Sequence, residues 1–161
     1  MLKKLTVIFF LFSSIFISAN EKNLLYLGAG INNFRRPNSR STSFRAEFKS
    51  KYSKWLFHPI IGASMTTKKQ VYAYGGVSLD LYPNPHFVIA PNFAAGYYNK
   101  GDGKDLGFPL EFRSGIEAAI KFTNQMRIGA HISHTSNASL GRKNPGLETV
   151  IFFLAIPLGN S

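Results

Sequence analysis

The chain has no cysteine, which excludes disulfide staples and thiolate metal sites, so stability has to come from packing or from closure of the fold. Acid is also scarce, with 8 Asp and Glu against 19 Lys and Arg in 161 residues. No apolar run approaches the ~20 residues of a membrane helix. The longest, Leu5 to Ile17, is interrupted by Ser13 and Ser14. No stretch carries a helical period, no zinc-ligand spacing or nucleic-acid module is present, and no G-x-S-x-G occurs, so the α/β-hydrolase plan is excluded.

What is present at the start is a leader. Lys3 and Lys4 precede the apolar stretch, which ends at the small pair Ser18-Ala19, and this reads as a secretory signal peptide over residues 1–19. Residues 20–161 then make one domain, long enough for a single closed core or barrel. Without the two leader lysines, 17 basic side chains face 8 acidic ones, a formal charge of 17 − 8 = +9. An exported protein this basic is expected to meet an anionic surface, and lipopolysaccharide or anionic lipid suits that compartment better than nucleic acid.

Alternation supplies the fold. From Leu110 to Phe122 the even positions are Leu110, Phe112, Ser114, Ile116, Ala118, Ile120 and Phe122, while the odd ones include Glu111, Arg113, Glu117 and Lys121. The same two-residue period recurs along the chain and predicts eight strands, at 24–33, 42–52, 56–66, 70–82, 86–98, 107–122, 126–137 and 148–158. Eight strands can close, and the expectation is an all-β, eight-stranded antiparallel transmembrane β-barrel with its apolar face towards lipid. A soluble lipocalin-like barrel would put the same apolar face inside. Export, an aromatic content of 14% and short turns at one end favour the membrane version. Pro59 and Pro91 fall inside predicted strands, where a missing amide belongs at an end or a bulge.

Parity raises a question about Arg127 to Asn137, "RIGAHISHTSN". Ile128, Ala130 and Ile132 share one face of a strand, and His134 and Ser136 continue that row. In the last strand Glu148 begins the matching row of Val150, Phe152, Leu154 and Ile156. A hairpin register in which paired numbers sum to about 282 sets Glu148 opposite His134, with Cβ atoms ~5 Å apart. An imidazole within reach of a serine and a carboxylate follows the logic of a Ser-His-acid triad. His131 and Ser133 form a second H-x-S on the opposite, lumenal face and read as interior packing. His58 and His86 read as structural.

These residues resemble the outer-membrane lipid A 3-O-deacylase (PagL) family. The match is to H-x-S-N, here His134-Thr-Ser136-Asn137, followed after a short loop by N-x-G-x-E, here Asn144-Pro-Gly146-Leu-Glu148. The resemblance implies His134 as base, Ser136 as nucleophile, Glu148 as orienting acid and Asn137 as a contributor to the oxyanion hole. It implies an outer-membrane serine esterase acting on an ester-linked acyl chain of lipid A, the 3-position 3-hydroxyacyl chain, with no metal or organic cofactor. Arg142 and Lys143, in the loop beside the motif, are candidate substrate-binding cations for the lipopolysaccharide phosphates. Ser139 stands where the family often has glycine, and Lys143 where a proline is common. A non-enzymatic small barrel, an adhesin or structural protein binding lipopolysaccharide through basic loops, is the alternative from another class.

Overall fold

A computed structural model describes residues 21–159; the expected leader lies outside the described residues. The strands are β1 (Asn23–Asn32), β2 (Ser41–Lys49), β3 (Phe57–Thr66), β4 (Val71–Leu79), β5 (Leu81–Asn84), β6 (Phe87–Asn99), β7 (Leu110–Lys121), β8 (Arg127–Ser136) and β9 (Leu147–Leu158). Each pairs antiparallel with its neighbours, and β9 returns to β1. Because β4 and β5 both pair with β6, they are two halves of one predicted strand, and the sheet is a closed eight-stranded barrel.

The break at Asp80 accounts for one of the awkward prolines. On that side the β6 ladder pairs Asn92 with Ser78 and resumes only at Ile89 with Leu81. Pro91 sits in the gap, where no amide is required. Pro59 lies at the very end of the β2–β3 pairing, one step past Lys49 with Ile60, where its carbonyl accepts from Ser50 N–H at 2.9 Å.

The faces decide the class of barrel. Ile61, Phe152, Phe44, Ile120 and Ile132 are exposed on the outside, whereas Arg45, Glu47, Lys49, Asp80, Arg113, Glu117 and Arg127 are buried within. Charges survive there because they are paired: Asp80 binds Lys49 at 2.8 Å and Arg127 at 2.6 Å, and Glu47 accepts from Arg113 at 3.1 Å and from the Tyr74 hydroxyl at 2.6 Å. Removing one partner of such a group leaves a buried charge and costs about 3–5 kcal/mol. An apolar exterior around a polar, ion-paired interior is the pattern of a transmembrane barrel, and a soluble barrel would show the reverse. The turns β5–β6 and β7–β8 are short, while the β1–β2, β6–β7 and β8–β9 loops gather at the opposite end.

Candidate active site

The β8–β9 hairpin sets the site. Its register pairs His134 directly with Glu148, Ile132 with Val150 and Ala130 with Phe152, as the sum of 282 requires. Imidazole and carboxylate therefore project from the same outer face, and His134 Nδ1 lies 3.4 Å from Glu148 Oε1. Half of the His134 side chain and a quarter of that of Glu148 remain exposed. Ser136 is the last residue of β8, two positions further along the same face and half-buried. With Nδ1 turned to the acid, Nε2 is the nitrogen left for a serine. The Ser136 hydroxyl makes no hydrogen bond among the described residues, so the structure brings the expected His134 and Glu148 together and leaves Ser136 beside them. Catalytic hydrogen bonds often close only when substrate is bound.

Three groups outside the expected set hold this pair in place. Gly146 has φ +56°, and a Cβ there would fall 2.6 Å from His134 Cε1 and 3.1 Å from Nε2, so glycine is required both by the backbone and by the imidazole lying over it. Arg35 Nη1 is 3.7 Å from the same Glu148 oxygen that faces His134. Its position is fixed by its neighbour: Phe34 N–H donates to Glu148 O at 3.2 Å, and Arg40 Nε donates to Phe34 O at 2.8 Å. Lys104, from the β6–β7 loop, donates from Nζ to Gly146 O. The motif in the sequence contains Gly146, but the two cations come from distant loops and carried no local signal.

Asn137 is fully buried. Its Nδ2 donates to Leu106 O at 2.7 Å and Lys143 O at 2.9 Å, and its N–H to Asn144 Oδ1 at 3.1 Å. It thereby ties the β6–β7 loop to the β8–β9 loop. Its carbonyl accepts from Leu140 N–H at 3.0 Å, closing a turn whose central residues, Ala138 (φ 51°) and Ser139 (φ 65°), are both left-handed. Ser139 thus occupies a backbone conformation that favours glycine.

The candidate phosphate-binding cations divide. Lys143 Nζ is 2.9 Å from Asp105 Oδ2, and this bond, with a second from Gly107 N–H, holds the Asp105 carboxyl below the usual carboxylate range. Arg142 is exposed and has no carboxylate partner among the described residues. The second H-x-S is lumenal: buried His131 contacts Arg45 Nη1 through Nδ1 at 2.8 Å and Asn92 Oδ1 through Nε2 at 3.1 Å. His58 meets Glu21 at 2.8 Å and Ser50 O at 3.0 Å at the other end of the barrel.

Fold and site together define a transmembrane β-barrel with a serine, a histidine and a glutamate on its lipid-facing rim. The profile of the family described as "Lipid A 3-O-deacylase (PagL)" matches residues 16–157, and the chain belongs to that family. It is similar to the lipid A deacylase PagL of Pseudomonas aeruginosa, with 32% identity over 88 residues, 55% of this chain and 49% of that protein. The chain thus spans about half the length of the curated relative it matches. Among solved structures it is similar to the crystal structure of the outer membrane enzyme PagL, with a TM-score of 0.70 and 19% identity over 84% of this chain and 99% of that one. A de novo designed transmembrane β-barrel matches with a TM-score of 0.63 and 10% identity, over 89% of this chain and all of the design. Both structures share the fold.

Proposed function

We propose that this chain is an outer-membrane serine esterase that removes the ester-linked 3-hydroxyacyl chain at the 3-position of lipid A in lipopolysaccharide. The observation that carries the reading is the His134–Glu148 opposition on the lipid-facing side of the rim, because a catalytic group facing out of a membrane barrel meets only substrates lying in the bilayer. Family membership points to the same substrate.

In this reading Ser136 Oγ bonds to the ester carbonyl carbon as its proton passes to His134 Nε2. Glu148 holds the ring through Nδ1 and balances the imidazolium. The C–O bond to the sugar then breaks, the sugar oxygen takes the proton from His134, and a water activated by the same imidazole releases the fatty acid. Asn137 serves the oxyanion by anchoring the turn that follows the nucleophile. In this reading the N–H groups of Ala138 and Ser139 in that turn, unpartnered among the described residues, are the donors for the developing charge. Arg142 is the loop cation free to meet a lipid phosphate, whereas Lys143 is engaged by Asp105.

Mass spectrometry of lipid A from a host lacking the activity, with and without expression of this chain, tests the proposal. A product lighter by one 3-hydroxyacyl group, absent with Ser136→Ala, is expected. Unchanged lipid A with correctly inserted protein would overturn it.

A further inference from the structure

The outer row of β7 is Leu110, Phe112, Ser114, Ile116, Ala118 and Ile120, and Ser114 is its one polar member. The ladder places Ser114 directly across from His134, and Phe112 directly across from Ser136. His134 in turn faces Glu148, so Ser114, His134 and Glu148 form a straight line over three adjacent strands. Ser114 is exposed, and its hydroxyl has no hydrogen-bond partner among the described residues. A hydroxyl facing lipid without a partner is unfavourable, and every other position in its row is apolar.

The direction of the strands gives this hydroxyl a use. β8 runs up to Ser136 at the loop end, and β7 runs down from Leu110, so Ser114 lies one step below the nucleophile, towards the membrane centre. An acyl chain whose carbonyl is at Ser136 descends past Ser114 towards Ile116 and Ile132, themselves a cross-strand pair. Diagonal neighbours in an antiparallel ladder are ~7–8 Å apart at Cα and somewhat less at Cβ. A hydroxyl oxygen on the third carbon of the chain is separated from the carbonyl carbon by two C–C bonds of ~1.5 Å and one C–O bond. One further hydrogen bond of ~2.8 Å completes the span to Ser114.

Resting on the esterase reading above, we infer that Ser114 is a specificity residue: its hydroxyl, aligned with His134 on the lipid face, hydrogen-bonds the 3-hydroxyl of the scissile acyl chain. A hydroxyacyl ester then replaces an unmet hydrogen bond in lipid, and a plain acyl ester does not. Phe112, stacked on Phe93 with ring centroids 6.1 Å apart, walls the chain on the same β7 side, directly across from Ser136.

The test uses the full-length protein in detergent micelles and two synthetic acylated glucosamine phosphates, identical except that the ester-linked chain carries or lacks the 3-hydroxyl. The wild type is expected to favour the hydroxylated ester in kcat/KM. Ser114→Ala should lose roughly five- to tenfold on that ester, about the worth of one neutral hydrogen bond, and be unchanged on the other, so the preference disappears. Ser114→Thr, which keeps the hydroxyl, should retain it. Equal losses on both esters, or a preference that survives in Ser114→Ala, would overturn the assignment. A wild type that cleaves both esters without preference removes the Ser114 inference and leaves the esterase standing; one that cleaves neither, although folded, removes both.

Discussion

His134 and Glu148 occupy one rung of the β8–β9 ladder, with Nδ1 and Oε1 3.4 Å apart on the outside of the barrel. If that pair drives Ser136, Ser136→Ala and His134→Ala each abolish deacylation in lipid A mass spectrometry while the barrel keeps its heat-resistant mobility on gels. The double variant adds little, since the residues act as a unit. Glu148→Gln, which keeps shape and one acceptor, lowers kcat by roughly tens-fold or more. His131→Ala supplies the contrast: it leaves Arg45 without its ring partner inside the barrel and costs about 1–3 kcal/mol of stability, with catalysis retained.

Gly146→Ala places a methyl group against the His134 ring and forces an L side chain into φ +56°. The expected result is a loss of kcat on the order of 10²-fold, since displacement of a catalytic group by about 1 Å costs that much. The melting temperature should also fall, because the left-handed L residue alone costs roughly 1 kcal/mol. An active Gly146→Ala enzyme would mean that the imidazole works from another position.

Ser139→Gly should stabilise the protein. At φ 65° the serine carries a left-handed penalty of roughly 1 kcal/mol that glycine does not. Thermal unfolding in detergent should show a rise in midpoint, with activity unchanged or improved because the turn after Ser136 is then under less strain. A lowered midpoint would place the strain elsewhere.

Membrane orientation is open to a direct measurement in this cysteine-free chain. A spin label on Cys introduced at Ile132 or Val150 should be relaxed by lipid-soluble reagents, and one at Ser133 or Thr149 by water-soluble ones, since one residue changes the face. The opposite pattern would put the triad in the lumen, out of reach of any bilayer lipid.

Arg142→Ala should raise KM for a phosphorylated lipid more than it lowers kcat, because a phosphate contact is made equally in the ground and transition states. Lys143→Ala should have a smaller effect on KM, its charge being already matched by Asp105. Steady-state kinetics on phosphorylated and dephosphorylated substrate separate the two.

The barrel and the His134–Glu148 rung were legible because both rest on a period of two. Alternation separates the faces, and a tight hairpin fixes which residues oppose one another, so Glu148 and His134 could be matched by counting. The break at Asp80 was not legible. At it sits a buried acid held by Lys49 from β2 and Arg127 from β8, a three-way contact between residues far apart in sequence. Arg35 and Lys104 were hidden for the same reason, as loop residues whose partners are set by barrel closure. Lys143 looked available because its neutralising acid, Asp105, belongs to another loop. Ser114 was counted in an apolar row, and its significance emerges only once β7 is laid beside β8.

Glu148 belongs to β9, the last of the described strands, while the groups that steady it, Phe34 and Arg35, follow β1, the first of them. These two strands meet only when the β1–β9 seam zips shut. Until then Glu148 keeps its place opposite His134 in the hairpin but lacks the Arg35 contact and the Phe34 bond. If the proposed esterase depends on those contacts, its output doubles as a readout of completed assembly, and variants that weaken the seam should lose turnover before they lose their β-structure.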